Sequence, residues 1–225
     1  NSNAVSATIT LTGANDAPVN TLPIPSAGTE DLDQVITGLQ VTDVDAAEST
    51  MTVTLGVSSG TLSVLASQTV TVSGNNSSSV QLIGIVTEIN ALLASSGALP
   101  FKPEAYLHGS VTLSMTTSDG TLSDSDSVSF TVSSVNDAPS GTSATITLAE
   151  DTSKTFSAAD FGFTDAADSP ANALSAVIIT TLPTAGSLTF NGTPVTVGQS
   201  IAVANIGSLV FTPASNANGL AYASL

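Results

Sequence analysis

The chain has 225 residues with 18 Asp and Glu against two Lys and Arg combined, and its formal net charge at pH 7 is −16. A charge of this sign and size repels nucleic acid and anionic lipid surfaces, so we exclude nucleic acid and direct membrane insertion. The lack of Cys excludes a disulfide framework and thiolate metal sites. The 41% of apolar residues is sufficient for buried cores, yet these residues never form a membrane-spanning run.

Short acidic motifs recur about 120 positions apart and divide the chain into repeats. The matching pairs are "GANDAPV" (13–19) with "SVNDAPS" (134–140), "GTEDL" (28–32) with "LAEDT" (148–152), and "VTDVDAA" (41–47) with "FTDAADS" (163–169). We therefore predict residues 1–18 as the last strand of a preceding repeat plus a linker, 19–139 as a complete repeat, and 140–225 as a second repeat.

The later parts of the two repeats also match, with "SGTLSVL" (59–65) corresponding to "AGSLTFN" (185–191) and "LPFKPEAYLHG" (99–109) to "LVFTPASNANG" (209–219). The second repeat has no counterpart of "TTSDGTLSDSDSVSFTVSSVNDAP" (116–139). We expect the natural chain to continue beyond this window. Otherwise an open sheet edge would invite pairing with another molecule.

Most segments are predicted to be strands, because β-branched and polar residues alternate along them. In chain order these are "ATITLT" (7–12), "MTVTLGV" (51–57), "TVTVSG" (69–74), "SVTLSMTTS" (110–118), "SVSFTVSS" (127–134), "SATITLA" (143–149) and "SIAVANI" (200–206). Asn191-Gly192 suits a two-residue hairpin turn. "GIVTEINALLASSG" (84–97) has apolar residues at helical spacing and predicts a short helix that crosses between sheets, with Thr87 as a possible cap.

The motifs "VNDAP", "AEDT" and "FTDAAD", with the segment from Ile89 to Pro139, resemble the tandem cadherin-like or immunoglobulin-like repeats of giant bacterial surface proteins, including RTX-type adhesins. The resemblance covers nearly the whole chain. Together with the regular spacing of strands and turns, it predicts an all-β protein of tandem Greek-key β-sandwich repeats, with one short crossover helix in the first repeat. It also implies an extracellular or cell-surface location, with neighbouring repeats as partners.

Acidic turns are the candidate sites, because antiparallel strands bring alternate turns to the same pole of a sandwich. The N-terminal pole of the first repeat is predicted to gather Asn15, Asp16, Asp43, Asp45 and Asp119. The far pole is predicted to gather residues of the first repeat, the linker and the second repeat, namely Glu30, Asp31, Asn136, Asp137, Asp165 and Asp168.

Carboxylate, amide and carbonyl oxygens are the ligands of a hard cation, and calcium accepts about six to eight of them in flexible geometry. Cadherin repeats have a similar arrangement, which the resemblance carries onto Glu30, Asn136 and Asp137. The departure is "TDAAD", in which two residues rather than one separate Asp165 from Asp168. The alternative is that Asp and Asn occupy these turns only to cap the local backbone.

No catalytic constellation is visible, because His108 is the sole His and the chain has no Gly-x-Ser-x-Gly elbow or phosphate loop. We therefore predict non-enzymatic extender repeats of a secreted or cell-surface bacterial adhesin, with junctions made rigid by calcium. One alternative is a subunit of an extracellular filament, sheath or surface layer that assembles with like chains through strand edges. A carbohydrate-binding module is disfavoured by the shortage of aromatic residues.

Overall fold

The computed structural model describes residues 6–46 and 48–224. The chain forms two compact units, of which unit 1 ends at Val135 and unit 2 begins at Asn136. The motif "NDAP" (136–139), which the sequence analysis assigned to the end of the first repeat, therefore groups with unit 2. Strands dominate the secondary structure, which confirms the prediction of an all-β fold. In the described part of the chain, no helix is long and apolar enough to cross a membrane.

The strands of unit 1 alternate buried and less buried side chains, as a sheet with one face on a core requires. They are β1 Val19–Thr21, β2 Gly28–Thr29, β3 Gln34–Ile36, β4 Gln40–Thr42, β5 Thr50–Val57, β6 Thr61–Leu62, β7 Thr71–Ser73, β8 Ser79–Ile85, β9 Leu99–Lys102, β10 Gly109–Ser118 and β11 Ser123–Ser133. The long strands β5, β10 and β11 form at predicted positions, and β7 covers part of its predicted segment.

Unit 1 has one hydrophobic core to which two sheets contribute. The larger sheet has the order β2-β11-β10-β5-β8-β7 and the smaller β3-β9-β6, while β1 pairs with β4. The core includes Leu55 and Leu113 of the larger sheet and Phe101 of the smaller. Phe101 is fully buried and meets Phe130 edge to face, with ring centroids 5.3 Å apart. The Greek-key sandwich description of the repeats stays a prediction.

The predicted crossover helix forms as α1 Val86–Ala94, between β8 and β9. Ile89, Leu92 and Leu93 are buried, as the helical spacing of apolar residues indicates. The predicted cap at Thr87 is wrong. Strand β8 runs directly into the helix, so extended Ile85 takes the N-cap position and no side chain caps the first turn.

Unit 2 is built from shorter elements around its own core. These are β12 Lys154–Thr155, a 3₁₀ helix Ala158–Phe161, β13 Ala176–Ile178, β14 Ser187–Phe190, β15 Thr193–Pro194, β16 Ser200–Ala202, a 3₁₀ helix Val203–Ser208 and β17 Leu209–Thr212. One sheet has the order β12-β17-β14-β15, and β13 pairs with β16. Leu188, Ile201, Leu209 and Phe211 are among the core residues.

The two units share packing at equivalent residues. Strand β6 pairs with β9 in unit 1 as β14 pairs with β17 in unit 2. Gly60 and Gly186 stand before these pairs with φ of +82° and +76°. A Cβ on Gly60 would lie 2.6 Å from the ring of Phe101, and one on Gly186 would lie 2.8 Å from the ring of Phe211. Only glycine meets both the dihedral and the steric requirement at these positions.

Two predicted strands are wrong, namely residues 7–12 and 143–149. A strand needs a neighbour to satisfy its backbone groups, and within the described ranges neither segment is assigned a ladder partner. Ile9 and Leu11 are 86% and 92% exposed as a result. An alternating pattern in the sequence therefore indicates a segment that can form a strand. The strand forms only where a neighbouring strand is placed to pair with it.

Two predictions for unit 2 concern the hairpin turn at Asn191-Gly192 and the segment "SIAVANI" (200–206). The Asn191-Gly192 turn is confirmed, since it joins β14 to β15 with φ of 53° and 76°. The prediction for "SIAVANI" is only partly right, because β16 ends at Ala202 and a 3₁₀ helix follows. This 3₁₀ helix lies between β16 and β17, in the place that α1 takes in unit 1.

Candidate functional site

The unit 1 cluster lies where residues 15–16 meet the loop after β4 and the turn between β10 and β11. Asp16 donates its backbone N–H to Oδ2 of Asp45 at 3.0 Å. Asn15 donates from Nδ2 to Oδ2 of Asp119 at 2.6 Å and to Oγ1 of Thr121 at 3.0 Å. The structure thus brings together Asn15, Asp16, Asp45 and Asp119, with Asp43 beside Asp45.

Capping of local backbone uses only one oxygen of each turn carboxylate in this cluster. Oδ1 of Asp43 accepts from the backbone N–H of Asp45 and of Ala46, both at 3.1 Å. Oδ1 of Asp119 accepts from the N–H of Thr121 at 2.6 Å. Oδ2 of Asp43 is buried and has no hydrogen-bond partner within residues 6–46 and 48–224. Backbone capping therefore accounts for one oxygen of Asp43 and one of Asp119, and the second oxygen of Asp119 accepts from Asn15.

Neighbouring groups shift the pKa values of two of these acids in opposite directions. Burial raises the pKa of Asp43, and the adjacent Asp45 carboxyl acts in the same direction. The amide of Asn15, followed by the backbone N–H groups of Leu122 and Thr121, holds the pKa of Asp119 well below its usual range. The carboxyl group of Asp119 is consequently ionised at neutral pH. Ionisation of Asp43, in contrast, lowers the stability of the folded unit.

Asp43→Asn should stabilise unit 1 in the presence of a chelator at pH 7. The folded-state pKa of Asp43 is raised, so its charged form lowers stability as pH rises from about 4, its value in unfolded chains, through the folded value. The Asn side chain keeps an oxygen for the two backbone N–H groups. Chemical denaturation at pH 7 and pH 3 measures this, and the benefit of the variant should vanish at pH 3.

The matched control for this prediction is Asp33→Asn, which removes one exposed charge from the same unit outside the cluster. If the two variants have equal stability at both pH values, the pKa of Asp43 is not raised by its surroundings.

The unit 2 cluster is organised in the same way around Asp137, Asp165 and Asp168. Asp137 donates its N–H to Oδ1 of Asp168 at 2.8 Å, as Asp16 does to Asp45 in unit 1. Asp168 therefore takes the role of Asp45 despite the additional residue in "TDAAD". Asn172 donates from its backbone N–H to Oδ2 of Asp165 at 2.5 Å and from Nδ2 to Oδ2 of Asp168 at 2.9 Å.

The carboxylates of Asp165 and Asp168 are buried, with exposed fractions of 6% and 7%. Oδ1 of Asp165 is buried and accepts no hydrogen bond from any residue that the structure describes. A buried charged oxygen without a partner carries the full cost of its lost hydration, which a cation would remove.

Glu30 and Asp31 take different positions in unit 1. Glu30 is fully buried, and its Oε1 accepts from the N–H of Val135 at 2.6 Å, while β2 pairs with the end of β11. Its Oε2 has no hydrogen-bond partner among the described residues. Asp31 is exposed in a turn with φ of 63°, as Asp151 is at 59°, so this side chain has a conformational role and does not join Glu30.

The sequence analysis predicted that Glu30 and the unit 2 cluster lie at one shared pole. Glu30 belongs to unit 1 and the cluster to unit 2, so this shared pole stays a prediction.

The sequence analysis missed two residues that contact the clusters, namely Asn172 and Thr121. Asn172 follows the acidic loop in "SPANALS", where the two repeats do not align, so no motif marks it. Thr121 stands in "SDGT" beside Asp119, and its hydroxyl also donates to Oδ1 of Asp119 at 2.8 Å.

Basic side chains do not neutralise either cluster. Within the described ranges the single ion pair joins Lys154 to Asp160 at 2.9 Å, and Lys154 lowers the pKa of Asp160. Lys102 is exposed at the end of β9. No group of three or more His, Cys, Asp or Glu among the described side chains converges into a ready metal-ligand set. Both clusters are thus negatively charged, and the carboxylates that the structure describes in them do not converge on one point.

Comparison with known proteins adds no family assignment. No protein-family model matches the chain, and no curated protein matches it either.

Proposed function

We propose that the chain is a pair of non-enzymatic extender repeats of a secreted or cell-surface bacterial adhesin, in which calcium binds the two acidic clusters and stiffens the linkers. The observation that carries the proposal is the buried Oδ1 of Asp165, which accepts no hydrogen bond within the described ranges. Oxygen ligands with flexible placement suit calcium better than magnesium, which requires a stricter octahedron.

The charge balance supports a divalent cation at both clusters. The chain has 18 acidic residues and a net charge of −16, and its one ion pair in the described residues lies at Lys154 and Asp160, outside both clusters. Carboxylates about 4 Å apart near a protein surface repel by a few kcal/mol. The described carboxylates do not converge on one point, so an ion would have to draw together Asp43, Asp45 and Asp16, or Asp165, Asp168 and Asp137. Its charge would then turn this repulsion into attraction.

The mechanical consequence follows from where the ligands lie along the chain. Asp16 and Asp137 belong to the linker motif "NDAP", and their N–H groups are already bound to Asp45 and Asp168. Calcium would add a bond from the linker carboxylate to the same repeat. Ordering the linker removes freedom from the segment that joins successive repeats, so a string of such repeats resists bending.

Calcium titration of the full chain tests the proposal. At 100 times the dissociation constant, calcium should stabilise a binding unit by about 2.7 kcal/mol. The measurement is calorimetry of binding and of unfolding, with magnesium at the same concentration as the control. No heat and no rise in unfolding temperature at millimolar calcium would exclude calcium-dependent stiffening, and an equal response to magnesium would argue against calcium selectivity.

A further inference from the structure

Strand β1 directly follows the linker motif "NDAP" (15–18), and Asn20 is its central residue. The strand pairs with β4, which ends immediately before Asp43. The two-stranded sheet of β1 and β4 therefore connects the segments that contribute Asp16, Asp43 and Asp45 to the unit 1 cluster. Contacts that fix this small sheet on unit 1 also determine where these acids lie.

Asn20 attaches β1 to the larger sheet through three hydrogen bonds. Its backbone N–H donates to Oδ2 of Asp124 at 2.8 Å, and its Nδ2 donates to the backbone oxygen of Met115 at 3.3 Å. Its Oδ1 accepts from Oγ1 of Thr117 at 2.6 Å. Thr117 is fully buried and lies opposite Asp124 in the β10–β11 pair. One asparagine thus satisfies a buried hydroxyl and links β1 to two strands.

A second asparagine holds the other strand of the small sheet. Oδ1 of Asn90, in α1, accepts from the backbone N–H of Val41 at 2.9 Å, and its Nδ2 donates to the backbone oxygen of Val41 at 2.7 Å. Val41 is the ladder partner of Asn20. The carboxamide of Asn90 therefore satisfies both backbone groups of Val41, as a neighbouring strand would, and β4 is held on the helix.

We propose that Asn20 is a positioning residue for the unit 1 cluster, which holds residues 15–18 against the unit before an ion binds. Thr117 lies two residues before Asp119, whose carboxylate accepts from Asn15. The hydrogen bonds of Asn20 therefore join the strand that follows Asn15 to the strand that precedes Asp119. An isolated pair of short strands is marginal in water, so β1 and β4 need this attachment to keep their place.

The consequence for calcium rests on the proposed function. An ion held by Asp16 and Asp45 would bind a linker whose freedom Asn20 has already reduced, so a smaller loss of entropy would accompany binding. Loss of the Asn20 contacts should therefore weaken calcium binding, although Asn20 contacts β10 and β11 rather than the ion.

Backbone order parameters of the full chain in chelator, measured by NMR relaxation, test the positioning role without any ion. Residues 15–17 of the wild type should have values of about 0.85, and Asn20→Leu, which removes the carboxamide at similar volume, should lower them below about 0.6. The matched control is Val80→Ala, which truncates a fully buried side chain of β8, a strand that pairs with β5 and β7. This control destabilises unit 1 and should keep the wild-type order parameters at residues 15–17.

A second pair of variants changes the partner of Asn20. Thr117→Val keeps the shape of the buried side chain and removes the hydroxyl that donates to Oδ1 of Asn20. Thr117→Ser keeps this hydroxyl and removes a methyl group. Thr117→Val should lower the order parameters of residues 15–17, whereas Thr117→Ser should leave them at the wild-type values. This pair decides the question if Asn20→Leu fails to fold.

Calcium titration of the same variants, followed by the amide signals of residues 15–17, tests the consequence for calcium. Asn20→Leu should raise the calcium midpoint of unit 1 about threefold or more, whereas Val80→Ala should leave it unchanged. Equal midpoints in these two variants would overturn the consequence for calcium and leave the positioning role intact.

The chelator measurements separate the positioning role from the proposed function. Low order parameters at residues 15–17 of the wild type, or equal values in the wild type and Asn20→Leu, would overturn the role of Asn20. Wild-type signals that calcium does not move would overturn calcium binding at this cluster, while the order parameters in chelator would still decide the role of Asn20.

Discussion

Under the proposed function, calcium should stabilise unit 2 of the wild type and should have no such effect when Asp165 and Asp168 are both replaced by asparagine. These two side chains are 6% and 7% exposed and supply the buried oxygens of the cluster. Their neutralisation removes the charge that would attract the ion, so the gain of about 2.7 kcal/mol at 100 times the dissociation constant should disappear. The double variant also loses a hydrogen-bond acceptor, because both oxygens of Asp168 accept hydrogen bonds and an Asn side chain has one oxygen. The readout is therefore the difference in stability between calcium and chelator for each variant.

The matched control for this double variant is Glu150→Gln with Asp151→Asn, which removes two charges from exposed positions of the same unit. Unfolding of unit 2 is followed by hydrogen exchange in the full chain, with calcium and with chelator. The control should keep the full response to calcium. If the cluster variant keeps it too, the ion binds elsewhere and the buried oxygen of Asp165 has another explanation.

Phe101→Ala should destabilise unit 1 by about 3–5 kcal/mol, a large part of the stability of a domain of ordinary size. Phe101 is fully buried, stacks edge to face on Phe130 and fills the space above Gly60. Its removal leaves a cavity in a core that both sheets share. The free energy of unfolding by urea measures the loss, and the unfolding temperature should fall by roughly 10 °C or more.

Val35→Ala provides the comparison for this prediction. Val35 belongs to β3, the strand next to Phe101 in the smaller sheet, and it is 45% exposed. Its truncation should cost well under half as much as the truncation of Phe101, because Val35 is smaller and only partly buried, whereas Phe101 is fully buried. Equal losses in the two variants would mean that the core of unit 1 is not centred on Phe101.

The acidic turns show how structure and proposed function share the same residues. One oxygen of Asp43 and one of Asp119 cap backbone N–H groups, so these acids define turns whether or not an ion is present. The other oxygen of Asp43 has no hydrogen-bond partner among the described residues, whereas the other oxygen of Asp119 accepts from Asn15. Substitution of such residues by asparagine separates the two roles, because the amide oxygen retains the cap while the charge is lost.

Local patterns in the sequence predicted several strands, the helix and one hairpin turn. Neighbouring residues alone encode the period of two in β5 and β10, the helical spacing of Ile89 and Leu92, and the Asn191-Gly192 turn. The structure contains each of these features. The recurrence of "NDAP" likewise pointed to the segments in which Asp16 and Asp137 donate to Asp45 and Asp168, because the turn residues of a repeat are encoded where they act.

Contacts between distant residues were decided only by the tertiary structure. Residues 7–12 have the alternation of a strand but no assigned partner among the described residues, and Asp31 has the motif of a ligand but lies exposed beside buried Glu30. Asn15 meets Asp119 across 104 positions, and Asn172 enters its cluster through a loop where the repeats diverge. Burial and hydrogen-bond satisfaction depend on what the rest of the chain places around a side chain, and no local pattern contains that information.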